Sequence, residues 1–180
     1  AKIREPRKIN ERIGAWMVSA ISGRRLSASP SAPRLWLGFD VASGDASSGG
    51  SVGTFNQLFP LAHAYFGYVD LVGRQNVVAA SGGVSWQVRA PLVVSLDGHL
   101  FRRASDADAL YRADGSVVRA GASGTSKEVG SELDLLLRYP ATRNLLVVGG
   151  LSRFFPGAFI REGGPHLDVD FAYVSLQYTM

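Results

Sequence analysis

The chain contains no cysteine, so neither a disulfide framework nor a thiolate metal site is open to it. It has no run near the 18 or so consecutive apolar residues of a membrane-crossing helix, so any passage through a bilayer must be made by strands. No apolar leader is visible, because residues 1–12 are charged rather than apolar. No RNA-binding motif of interleaved aromatic and basic residues is present either, and no nucleic-acid partner is expected. The net charge of +4 is concentrated at one end: Lys2, Arg4, Arg7, Lys8 and Arg12 against Glu5 and Glu11 supply most of it. A solvated segment accounts for that better than a binding surface.

What is present is glycine, 21 in 180 residues, with 46% apolar content, which excludes simple disorder and suffices for one all-β domain. In Ser81-Gly82-Gly83-Val84-Ser85-Trp86-Gln87-Val88-Arg89, one face carries Ser, Gly, Ser, Gln and Arg, the other Gly82, Val84, Trp86 and Val88. Side chains two apart share a strand face, so one side of the sheet is apolar and the other hydrophilic. Four stretches alternate in this way over about 10 to 13 residues each, beyond the usual soluble strand and close to what a tilted strand needs to cross a bilayer. About seven strands are predicted, at 14–22, 34–42, 76–89, 92–103, 128–139, 144–155 and 168–180. The fold class is all-β, an antiparallel up-and-down transmembrane β-barrel wall.

The connections alternate in length. Arg89-Ala90-Pro91 and Pro140-Ala141-Thr142-Arg143 are tight turns and 23–33 is moderate, whereas 43–75, 104–127 and 156–167 are long. Membrane barrels have short periplasmic turns and long extracellular loops. On that basis the last strand ends in the periplasm and residues 1–13 begin outside. An odd strand count starting on that side is expected of a C-terminal segment, residues 1–180, of a single larger barrel domain. The final strand alternates to its last residue, like the closing strand that bacterial barrels present to their assembly machinery, but with Met180 where an aromatic is usual.

The alternation divides the side chains. Leu35, Leu37, Phe39, Val41, Val84, Trp86, Val88, Leu92, Val94, Leu96 and Leu100 are placed toward lipid. So are Val129, Leu133, Leu135, Leu137, Tyr139, Leu145, Val147, Leu151, Val174, Leu176, Tyr178 and Met180. Trp86, Tyr139 and Tyr178 fall where a periplasmic aromatic girdle belongs. The candidate pore-lining and substrate-facing residues are Arg34, Asp40, Arg89, Asp97, His99, Arg103, Glu132, Asp134 and Arg138. Trp36, Ser85, Gln87, Ser95, Phe101, Glu128, Ser175, Gln177 and Thr179 share their side. Carboxylates are costly against lipid and tolerable in a watery, arginine-containing interior. Asp97, Glu132 and Asp134 are expected to pair with arginines drawn from Arg34, Arg89, Arg102, Arg103, Arg138 and Arg153.

The longest loop carries Gly53-Thr54-Phe55-Asn56-Gln57-Leu58-Phe59-Pro60, His63-Ala64-Tyr65-Phe66-Gly67-Tyr68 and Asp70-Leu71-Val72-Gly73-Arg74-Gln75-Asn76. With Gly38-Phe39-Asp40, Ala42-Ser43-Gly44-Asp45, Phe154-Phe155-Pro156-Gly157 and the last strand, it resembles the alginate export family of bacterial outer-membrane proteins. The departures are Met180 and 22–32, where Gly23-Arg24-Arg25 interrupts the strand. The resemblance implies a large monomeric barrel in the outer membrane, with lipid and the barrel assembly machinery as partners. It implies passive outward movement of an anionic polysaccharide such as alginate, with a porin for small anionic or sugar solutes as the alternative reading.

Phe55, Asn56, Gln57, Phe59, Pro60, His63, Tyr65, Asp70 and Arg74 are the loop's candidate residues. A loop so aromatic is expected to fold inward, either packing on the rim or narrowing the mouth. His63 with Asp70 and Arg74 is read as a structural hydrogen-bonding group. His99 with Asp97 and Ser95 holds hydrolase residue types, but side chains two apart on one strand point in parallel and form no relay. Asp40 with Asp45, and Asp106 with Asp108 and Asp114, have no calcium-loop spacing and are read as solvated carboxylates. The glycines at 121, 124, 163 and 164 are loop punctuation without the strand-to-helix setting of a phosphate cradle. No catalytic residue, metal site or cofactor is expected, and the chain is read as a transporter, not an enzyme.

Overall fold

Period-two alternation becomes a two-faced sheet. The structure, a computed structural model, describes residues 12–29, 31–46, 51–61, 63 and 65–180. Its elements are β1 (Met17–Arg25), β2 (Arg34–Ala42), β3 (Val77–Arg89), β4 (Leu92–Arg103), β5 (Leu110–Tyr111), β6 (Val117–Arg119), β7 (Glu128–Pro140), β8 (Leu145–Pro156), helix α1 (Ala158–Glu162) and β9 (Val169–Tyr178). Seven strands form one antiparallel sheet in the order β1-β2-β3-β4-β7-β8-β9. The sheet is an up-and-down meander and does not close on itself. The charged segment at 1–11 lies outside the described residues.

Connections sort by end as expected. β3 and β4 are joined through Ala90 and Pro91. The β7–β8 turn is closed by Ala141 N–H donating to the Leu145 carbonyl, with the Thr142 hydroxyl accepting from the amides of Asn144 and Leu145. Residues 43–76, 104–127 and 157–168 all leave the opposite end.

Register fixes the faces. Asp97 lies opposite Asp134, and His99 opposite Glu132, on one side; Leu96 lies opposite Leu135, and Leu135 opposite Leu151, on the other. The apolar side is bare. From Leu137 at 38% to Val174 at 76%, Leu35, Leu37, Phe39, Leu100, Leu133, Leu151 and Leu176 remain exposed. Fully burying such a side chain is worth about 1.5–3 kcal/mol, and soluble monomers rarely expose patches of this extent. Lipid is the solvent that suits this face.

The buried core lies on the polar side, at the long-loop end. Val77, Ala79, Phe101 and Phe154 of the wall pack with Phe66 and Val72 of segment 43–76, Leu110 of β5, and Phe159 and Ile160 of α1. The loops are therefore a second layer folded onto the sheet.

Several local expectations are corrected. β1 runs from Met17 through Gly23, Arg24 and Arg25, which pair with Trp36, Leu35 and Arg34. Glycine at 23 fits because a Cβ there would press on the Arg34 guanidinium. Val129 is not on the apolar face but fully buried at 0%. The register shifts where Phe101–Arg102 meets Gly130–Glu128, and such a bulge reverses the alternation. Gly130, at φ +147°, supplies the backbone angle. The β5–β6 hairpin and α1 lie inside segments read as plain loops. Asn76, expected to open a strand, sits at φ +47° and ties the loops together. Its Nδ2 donates to the carbonyls of Ser105 and Ala109, and its Oδ1 accepts from Ser105 N–H.

Candidate functional site: a loop-covered polar face

The wall's polar side is layered along the strands. At the short-turn end, Arg34 opens β2 and Arg138 lies near the end of β7, both exposed. Arg89, also exposed, does not join them as expected: a register shift after Gln87 sets it opposite Leu92, on the apolar face. Farther toward the loops come Asp97, His99, Glu132 and Asp134, then Asp40. Arg102 and Arg153 alternate with this series and belong to the other face, where Arg153 pairs with Asp168 at 2.7 Å and Asp170 at 3.6 Å.

The carboxylates do not pair with the wall arginines as expected. Asp97 accepts a 2.6 Å hydrogen bond from the Trp36 indole N–H. Asp134, at 0% exposure, lies 3.3 Å from His99 Nε2. The other imidazole nitrogen shares a 2.8 Å hydrogen bond with the Ser81 hydroxyl. His99 thus takes its partners from the two flanking strands, not from Asp97 and Ser95 on its own. Its ring lies flat on Phe101, 5.8 Å between centroids and 4° between planes. Buried and stacked, this Ser81–His99–Asp134 chain braces three strands, with little room for an imidazole to serve a substrate.

The described residues of segment 43–76 are fastened over this row. Arg74 pairs with Asp40 at 2.8 Å, and its guanidinium lies 4.1 Å over the Tyr65 ring and 5.2 Å from the Phe66 centroid. Glu132 Oε1 accepts the backbone N–H groups of Tyr68, at 2.6 Å, and Val69, at 2.8 Å. Asp70 holds His63 twice, through its backbone N–H at 2.9 Å and ring Nδ1 at 3.0 Å. The His63 ring stacks on Tyr68, which stacks on Tyr173 of β9. Phe55 packs beside the core, Asn56 accepts from the Gln75 amide at 3.4 Å, and Gln57 donates to the Ala113 carbonyl. Phe59, 92% exposed, and the exposed Pro60 stand apart from this packing.

Arg103 is on the expected side but 1% exposed, so no solute reaches it. Its Nη1 donates to the carbonyls of Asp106 and Asp108, and its Nη2 to the Thr125 hydroxyl and the Ser126 carbonyl. The guanidinium rests 3.5 Å from the Phe159 centroid. Asp108 is likewise buried, not solvated. It accepts from Asp45 N–H, the Thr54 hydroxyl and the Tyr111 hydroxyl. Burial, then the bond to Asp108, pushes the Tyr111 phenol up to about 12. Asp106 is half-buried, and a hydrogen bond from Gly124 N–H holds its carboxyl below the usual range.

No group of three or more His, Cys, Asp or Glu suited to a metal ion exists among the described residues. Sequence reasoning put Trp36 and Ser81 on the polar face without their partners, and missed the roles of Asn76 and the 68–69 amides, which depend on register or on backbone atoms.

A meander with one bare apolar side, one charged side and its long loops folded over the charged side has the makings of an outer-membrane β-barrel wall. Comparison with known families agrees: residues 7–173 match the alginate export family, and the chain belongs to that family. This is a transport family, whose name implies a polysaccharide substrate. No curated protein matches the chain.

Proposed function

We propose that residues 1–180 are the C-terminal segment of a single outer-membrane barrel domain, and that the barrel passively exports an alginate-like polyuronate. The observation that carries this reading is the position of the exposed wall arginines. Arg34 and Arg138 stand together on the polar face at the short-turn end, which is the periplasmic end of such barrels. Fixed positive charge at the entrance lowers the barrier for a polyanion and raises its local concentration. The carboxylates stand deeper: Trp36 and His99 of the wall occupy Asp97 and Asp134, and the amides and Arg74 of the loop occupy Glu132 and Asp40. The loop narrows the path instead of merely lining its rim. Lipid meets the apolar face, and β9 is the strand offered to the assembly machinery.

The test is conductance of the complete protein in planar bilayers. Anion selectivity is expected, with stronger block by an oligouronate than by a neutral oligosaccharide of equal length. Arg34→Ser with Arg138→Ser should move selectivity toward cations, most clearly at low salt, because screening acts within about 10 Å at 0.1 M. Cation selectivity in the parent protein with no uronate preference would overturn the polyanion reading and favour a porin for small solutes.

A further inference from the structure

Glu132 is a wall carboxylate held by a loop backbone. It is 2% exposed, and Oε1 receives two successive amides while Oε2 has no hydrogen-bond partner among the described residues. Gly67, at φ +84°, turns the chain so that the amides of residues 68 and 69 converge. A Cβ at Gly67 would collide with the Glu132 carboxylate, so only glycine permits this approach. Successive N–H groups converging in a turn make an anion-binding concavity, or nest. Here the nest holds a carboxylate that belongs to the protein.

That occupant is poorly placed. Asp134 lies two residues along the same face at 0% exposure, and Asp97 stands opposite it. Three carboxylates crowd one patch, and half of Glu132's hydrogen-bonding capacity is desolvated without compensation. A carboxylate arriving from outside the wall would satisfy the same two amides without that crowding. The Tyr68 ring beside the nest lies nearly parallel to the rings of His63 and Tyr173, which are themselves 6.4 Å apart, and the three together present aromatic surface suited to a sugar ring.

We propose that the amides of Tyr68 and Val69 are a binding site for the carboxylate of a uronic-acid residue, that Glu132 occupies it in the absence of substrate, and that the polyuronate loosens segment 43–76 by taking Glu132's place. The inference rests on the polyuronate reading above and adds the means by which substrate admits itself. Tight loop contacts in the empty channel and passage of a long polymer are then compatible, because the polymer brings the competing group.

These 180 residues carry no cysteine, so a cysteine introduced here reports on this segment once any cysteine elsewhere in the complete protein is replaced by serine. Val72 is 3% exposed in the same segment, so Val72→Cys reacts with a bulky aqueous maleimide only when the loop lifts. In the complete protein in lipid vesicles, a short oligouronate should raise the labelling rate at least about tenfold, the factor expected for exchanging charge-assisted hydrogen bonds. A neutral oligosaccharide of equal length should leave it unchanged. Glu132→Gln should label quickly without ligand and gain little from the oligouronate. Gly67→Ala, which disturbs the contact from the loop side and leaves the wall charges intact, should also label quickly. Channel block by the oligouronate with no change in labelling would overturn the nest proposal and leave the export reading standing. Absence of both block and labelling response would overturn both.

Discussion

Leu135 tests which side of the sheet meets lipid. It lies at the middle of β7, opposite Leu96 and Leu151, and all three belong to the apolar series. An arginine there must shed its hydration or drag water into the hydrocarbon layer. Near the bilayer midplane that costs roughly 2–4 kcal/mol, and at 1.4 kcal/mol per tenfold it lowers the folding equilibrium by roughly 30- to 1,000-fold. Ser95→Arg is the matched control. It adds the same group to the neighbouring strand, but on the side of Asp97, two residues along, where the charge has a counter-charge and water. The assay is folding of the complete barrel into vesicles across a urea series, followed by the mobility shift between folded and boiled protein. Leu135→Arg should fold only at markedly lower urea, while Ser95→Arg should stay within about 1 kcal/mol of the parent. Equal tolerance, or the reverse order, would refute the assignment of faces.

Two further outcomes concern the loop layer. Arg103→Met should cost about 3 kcal/mol, since it strands the buried carbonyls of Asp106, Asp108 and Ser126. It should speed protease nicking within 104–127 while the strands survive, and an unchanged nicking rate would remove Arg103 as the loop's anchor. For Tyr111, the phenol titrates above its ordinary value in the folded protein. Its contribution is therefore complete below about 10 and lost as pH rises through about 12. Alkaline nicking of the β5–β6 segment should rise over that range, whereas Tyr111→Phe should start about 1 kcal/mol less stable and lack that step.

The wall was legible because its two faces meet different surroundings. Strict alternation in Leu92–Arg103 and Arg34–Ala42 left one register that puts leucines together and carboxylates together, and both strands form at the expected limits. The misreadings fall where alternation breaks. Val129 turns inward at a bulge that depends on its partner strand, and Gly23 continues a strand through its pairing with Trp36 of β2, which the local sequence does not reveal. The Asp114-Gly115 pair between Tyr111 and Val117 was a readable hairpin signal. α1 had no such signal: it is five residues long, without a side-chain cap, and is held by burial of Phe159 and Ile160. The site was only partly legible. Residue types placed Asp97, His99, Glu132 and Asp134 on one face, but not their partners. The indole, the Ser81 hydroxyl and two loop amides come from segments far apart in sequence. Arg103 shows the opposite limit, since face periodicity cannot reveal that a loop layer covers it.

Efflux from sealed vesicles tests the central claim most directly. The complete protein is reconstituted around a trapped mixture of a fluorescent oligouronate and a neutral oligosaccharide of the same length, with no nucleotide or ion gradient. The account predicts release of both through the open path, with the oligouronate leaving faster and its advantage shrinking as salt rises. Retention of the oligouronate while the neutral sugar escapes, or release that requires an energy source, would contradict it.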